Sequence, residues 1–143
     1  LPVYVGDYND PATGKELALS LYDQGADIIY AAASNSGDGV SEAAVELGRY
    51  VIGVDTDKSF QGPENVMGSM LKNVTKSFYD VIAAKNNGET LDAEQRCGLS
   101  KKWVEMCFID SMAQFLPEEV MTAIAQAEEG IVSGSVTVQE AVN

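Results

Sequence analysis

The sequence predicts an α/β fold built on a parallel sheet, and three observations carry that expectation. Short apolar runs alternate along the chain with segments whose apolar residues recur at helical spacing. The run Asp27-Ile28-Ile29-Tyr30-Ala31-Ala32-Ala33 is almost continuously apolar, as in a strand covered on both faces. The 143 residues suit one domain with a real core.

Pro2-Val3-Tyr4-Val5-Gly6 reads as a first strand, followed by the loop Asp7-Tyr8-Asn9-Asp10. Asp10 then caps a helix and Pro11 takes its first position. Leu17, Ala18, Leu21 and Tyr22 give that helix its apolar face, and Gly25 stops it. The second strand is Asp27–Ala33. The loop Ser34-Asn35-Ser36-Gly37-Asp38-Gly39 precedes a second helix, from about Val40 to Leu47, ended by Gly48.

Tyr50–Asp55 is the third strand, and a polar loop runs from Thr56 to Asn65. Val66–Leu71 is a short fourth strand. Val74, Phe78, Val81 and Ile82 mark a third helix that closes at Asn86-Asn87-Gly88. After a polar connector, Trp103–Ile109 reads as a strand. Pro117-Glu118-Glu119 opens a final helix with acids where the helix dipole favours them, and Gly134 ends it. Val136-Thr137-Val138 is expected as a short strand. The whole is expected to form one three-layer lobe over 1–143, with core β/α units in 1–95 and a closing strand and helix in 96–143.

Charge and composition exclude several functions. Asp and Glu number 22 against 9 Lys and Arg, a formal net charge of −13. Such a surface repels phosphate backbones and anionic headgroups, so nucleic acid is not an expected partner. There is no His, which removes the commonest general base and metal ligand. Cys97 and Cys107 match no zinc or redox spacing. No enzyme activity, metal or cofactor is expected. No apolar stretch is long enough to span a membrane.

In parallel sheets ligands bind beyond the carboxyl ends of the strands. The residues there suit a small polar solute. Tyr8 offers a flat face for a planar base or a sugar, or packs on the lobe. The Ser34–Gly39 loop either lets backbone N–H groups approach a ligand or is simply a tight connection. Asp55 can accept from two neighbouring hydroxyls at once, as in a ribose diol. Lys72 can donate to a hydroxyl or pair with Asp55. Asp57 and Lys58 are expected in solvent.

Several stretches together resemble the basic membrane protein family, substrate-binding lipoproteins of ABC transporters related to purine nucleoside receptors. They are Gly6-Asp7-Tyr8-Asn9-Asp10-Pro11-Ala12-Thr13-Gly14-Lys15, Gln24–Tyr30, Ser36-Gly37-Asp38-Gly39-Val40 and Ile52–Asp57. Asn65-Val66, Ser69–Lys72, Leu116–Glu119 and Gly130–Gly134 continue the match in order. The resemblance implies the C-terminal lobe of a type I periplasmic-binding-protein fold, whose two lobes close around a ligand. It further implies that Tyr8, where Phe is usual, stacks on a purine. By the same resemblance, Asp55 and Lys72 would hold ribose hydroxyls and Gly37 would line the pocket.

Implied partners are a purine nucleoside or similar solute, an N-terminal lobe and an ABC permease, in an extracytoplasmic lipoprotein parent. Self-association of the isolated lobe is also expected. Competing readings are a cytoplasmic ligand-sensing regulatory module of the same fold, a receiver-like signalling domain and a flavodoxin-like carrier. A receiver places its lysine after a fifth strand, whereas Lys72 follows Asp55 too closely for a strand-helix-strand between them. A flavodoxin needs a phosphate loop where Asp7-Tyr8-Asn9-Asp10 stands.

Overall fold

The structure, a computed structural model, describes residues 1–95, 98–108 and 116–139. The helices are α1 (Pro11–Asp23), α2 (Ser36–Leu47), α3 (Val74–Asn86) and α4 (Glu118–Ser133). The strands are β1 (Ile28–Tyr30), β2 (Tyr50–Asp55), β3 (Val66–Lys72) and β4 (Val104–Phe108). They form one four-stranded sheet in the order β1-β2-β3-β4, with β1, β2 and β3 parallel. The α/β class and the parallel sheet are as the sequence predicts.

The chain divides into two compact units. The first comprises Leu1–Lys72 with Met106–Gln114, and its core gathers on one face of the sheet. Ala18 and Tyr22 of α1 meet Val40, Ala43 and Ala44 of α2 over Ala31, Val51 and Val66. The small side chains let the two helices approach closely. Gly14 and Gly39 carry this further. A Cβ on Gly39 would sit 1.9 Å from the Pro11 carbonyl oxygen, and one on Gly14 would strike that of Ser36. Tyr22 spans from the helix layer to the sheet and donates its hydroxyl to the Tyr50 carbonyl at 2.8 Å. Burial pushes that phenol up to about 12.

The second unit comprises Asn73–Glu105 and Phe115–Asn143. In it, Asp80 of α3 takes hydrogen bonds from Lys76 and from the Trp103 indole, both at 2.8 Å. The hydrogen bond from Lys76 and that from Trp103 hold the Asp80 carboxyl below its ordinary value. α4 ends at Gly134 in the left-handed conformation, as expected from its sequence. Val136 folds back so that its N–H reaches the Gly130 carbonyl.

Four expectations need correction. Pro2–Gly6 is not a strand: it runs beside the sheet without a ladder, exposed except at the half-buried Val5. β1 is three residues rather than seven and is not covered on both faces, because Ile28 and Tyr30 are exposed. α2 begins at Ser36, one turn earlier than expected, because Gly37 and Gly39 permit close packing rather than breaking the helix. Val136–Val138 is coil, closed by the Gly130 hydrogen bond instead of a strand partner. Cys97 and Ile109 lie outside the described residues, as do Met112 and Phe115.

Candidate functional site

Parallel pairing puts the carboxyl ends of β1, β2 and β3 on one rim of the first unit. The loop before α1, the start of α2 and the ends of β2 and β3 all lie there. Two non-glycine residues on this rim take left-handed backbone, Ser34 at φ 51° and Asp55 at φ 70°. Such conformations cost energy and persist where surrounding contacts hold them.

Asp55 ends β2 opposite Leu71, and its carboxylate pairs with Lys72 Nζ at 2.9 Å. Both side chains stay substantially exposed, 39% for Asp55 and 58% for Lys72. The pair therefore has free donor and acceptor capacity facing solvent. An exposed pair of this kind adds little to stability.

Tyr8 and Gly37 meet the rim through Ser36. The Ser36 hydroxyl donates to the Asp7 carbonyl at 2.7 Å and accepts from the Asp10 N–H at 2.9 Å. Its backbone N–H is shared between the Tyr8 and Ala33 carbonyls. Asn35 adds a side-chain bond to Asn9. The loop carrying Tyr8 is thereby clasped to the first turn of α2, with the Tyr8 ring exposed. Asp10 caps α1 as expected, accepting from the Thr13 N–H and hydroxyl. Those hydrogen bonds hold its carboxyl below the ordinary value. Gly37 is buried, its N–H bonded to the Ser34 carbonyl, and a Cβ there would lie 3.2 Å from the Ala31 oxygen.

A second cluster braces the loop after β2. Lys58 reaches Asp38 at 2.8 Å and Gln61 donates to the same carboxylate oxygen at 2.7 Å. Lys58 is not in solvent: its side chain is only 17% exposed and lies across Gly53. Its backbone N–H bonds to the buried Ser69 hydroxyl. Burial raises the Asp38 carboxyl, but the hydrogen bonds from Lys58 and Gln61 more than offset this and its pKa falls below the ordinary value. Gln61 Oε1 is buried without a hydrogen-bond partner, an uncompensated acceptor of the kind that costs free energy.

The structure thus joins Asp55 directly to Lys72 and ties the Tyr8 loop to the turn that holds Gly37. Ser36, Lys58 and Gln61 are residues the sequence reading missed. Gly53 within β2 was the available signal for Lys58, since a strand glycine often marks a close approach. No local signal marks Ser36. Among the described residues no cluster of acids and cysteines could hold a metal ion, and no helix is long and apolar enough to cross a membrane.

This parallel α/β fold is shared with solved structures of solute-binding proteins from ABC transporter systems. A solute-binding protein of an Aeropyrum pernix ABC transporter system superposes with a TM-score of 0.76 at 20% identity, over 96% of this chain and 48% of that one. A transcriptional activator of the comK gene from Bacillus halodurans superposes at 0.82 and 21% identity, over 95% of this chain and 47% of that one.

Residues 2–141 match the model of the PnrA-like ABC transporter substrate-binding proteins, and the chain belongs to that family. Basic membrane protein D of Borreliella burgdorferi is 48% identical over 80 residues, which cover 54% of this chain and 24% of that protein. Basic membrane protein A2 of Borrelia garinii is 45% identical over 77 residues, 52% and 23% of the two chains. The matched stretch is thus about a quarter of each of these relatives.

Proposed function

We propose that this chain forms one lobe of a two-lobed substrate-binding component of an ABC importer, and that its rim carries half the site for a nucleoside-like solute. The half-exposed Asp55–Lys72 pair carries this reading. A carboxylate and an ammonium side by side present an acceptor and a donor to two adjacent hydroxyls. The ring of Tyr8, held out by the Ser36 clasp, supplies a stacking face for the base. The turn at Gly37 shapes the floor between them. The extracytoplasmic, lipid-anchored setting and the permease partner belong to the same proposal.

A single lobe leaves one ligand face in water, which weakens each hydrogen bond it makes. The isolated chain therefore binds nucleosides only in the millimolar range. The test is an NMR titration with inosine, adenosine and free ribose. Shifts at Tyr8, Asp55 and Lys72 that Asp55→Asn abolishes support the reading. No shift at the rim with millimolar nucleoside, or shifts confined elsewhere, would overturn it.

A further inference from the structure

Asp55 meets Lys72 only because the chain turns sharply at the end of β2. In a parallel ladder, register partners point to the same face and the next residue along points to the other. Asp55 is the partner of Leu71, yet its carboxylate reaches Lys72, one residue further on. Its backbone accounts for the change of direction. With φ at 70° and the Thr56 N–H bonded to the Val54 carbonyl at 2.9 Å, Asp55 is the central residue of a γ-turn. The positive-φ form of that turn is rare and strained, and it persists only where outside contacts hold it.

Those contacts converge on Lys58. Only Thr56 and Asp57 separate it from Asp55, yet its stem lies across Gly53, on the near side of the turn. A Cβ on Gly53 would sit 2.7 Å from the Lys58 Cγ and 2.9 Å from its Cβ. The chain therefore doubles back over the end of β2 within Asp55–Asp57. The Lys58 N–H is anchored at 3.0 Å to the hydroxyl of Ser69, a buried residue in register with Gly53. The stem fills the space that Gly53 leaves empty. The ammonium ends on Asp38 at 2.8 Å, in the first turn of α2. Gln61 closes the loop, donating its backbone N–H to the Lys58 carbonyl and its amide to the same Asp38 oxygen. A half-buried pair inside such a network is a firmer anchor than an exposed pair like Asp55 and Lys72.

We propose that Lys58 is a positioning residue for the solute site: pinned across Gly53, to Ser69 and to Asp38, it forces the turn at Asp55 and so sets where the Asp55 carboxylate stands beside Lys72. The proposal rests on the reading of that pair as the anchor for two solute hydroxyls. Lys58 acts through the backbone, its own ammonium being committed to Asp38. The solute then meets a carboxylate already in place, rather than one it must first order.

The test is NMR on the unsubstituted chain, Lys58→Ala, Lys58→Arg and Ser69→Ala, each without and with inosine. A positive φ brings the amide and α protons of one residue close together. Asp55 should therefore show a strong intraresidue cross-peak, and Thr56 a slowly exchanging amide. Lys58→Ala should weaken the cross-peak and speed Thr56 exchange by at least about tenfold, the scale of the strain released. Lys58→Arg keeps a stem and a cation for Asp38 and should restore both signals. Ser69→Ala removes only the acceptor for the Lys58 N–H and should move both signals the same way as Lys58→Ala. The α1 amides should exchange as before, which marks the effect as local. The response of the Lys72 signals to millimolar inosine should fall about tenfold in Lys58→Ala, because only the turned form binds. Two results would overturn the proposal. One is an Asp55 cross-peak and a Thr56 exchange rate unchanged in both Lys58→Ala and Ser69→Ala. The other is a lost inosine response with both signals unchanged, which would put Lys58 on the solute directly. Inosine that moves no rim signal in the unsubstituted chain defeats the nucleoside reading instead, and the ligand-free signals still decide the role of Lys58.

Discussion

Gly39→Ala puts the closeness of α1 and α2 to a quantitative test. In a helix interior alanine is favoured over glycine by about 1 kcal/mol, so local propensity alone predicts a more stable protein. The tertiary contact opposes this. The new Cβ would lie 1.9 Å from the Pro11 oxygen and 2.8 Å from the Lys15 nitrogen. These are backbone atoms and cannot rotate away, so α1 must move by roughly 1.5 Å to restore ordinary separation. Overpacking of that kind costs about 1–3 kcal/mol, and more when backbone has to shift. The clash is at the severe end, so the balance is a loss of about 2 kcal/mol. At this chain length that lowers Tm by about 4–8 °C. Calorimetry or thermal circular dichroism reads it directly. A Gly39→Ala protein as stable as the unsubstituted chain would refute the close-packed interface. The same shift would disturb the Ser36 clasp, so it should also broaden the NMR signals of Tyr8 and Asp10.

Other residues give equally direct expectations. Tyr22→Phe removes the donor to the Tyr50 carbonyl and should cost about 1–2 kcal/mol, measured by urea denaturation. With its pKa raised to about 12, Tyr22 favours the folded state fully below the ordinary tyrosine value of 10.0. That contribution is lost as pH rises from there through 12, and spectrophotometric titration should show one phenol ionising late. Asp10 has a lowered pKa, so its contribution is present above the ordinary value of 3.8 and disappears as pH falls through the lower folded value. Asp10→Asn keeps a capping oxygen and should flatten this acid limb of a Tm-against-pH curve; an unchanged limb would refute the assignment. The only tryptophan, Trp103, reports on Asp80. Its emission should change in acid with a midpoint below the ordinary aspartate value, and Asp80→Asn should remove that transition.

Local chemistry made much of this fold legible in the sequence. Asp10 followed by Pro11 marked a helix start because a carboxylate and a missing N–H both suit that position. Gly134 marked a helix end because only a residue tolerant of left-handed backbone stops a helix this way. Tyr50–Asp55 was readable as a strand because a buried β-rich run has few other uses. The same rules misled at Gly37 and Gly39. Glycines usually end helices, and here they let one helix touch another.

What the sequence determined by itself was therefore the helices, the strand Tyr50–Asp55 with Asp55 at its end, and the acidic composition without histidine chemistry. Tertiary structure alone decided which residues meet. Ser36 holds Asp7 and Asp10 from 29 and 26 positions away, and Lys58 reaches Asp38 across 20. It also decided that Pro2–Gly6 stands unpaired beside the sheet. A cap or a helical face is set by neighbours within a turn, and its signal is written in spacing. A clasp between distant loops exists only once the backbone has been packed.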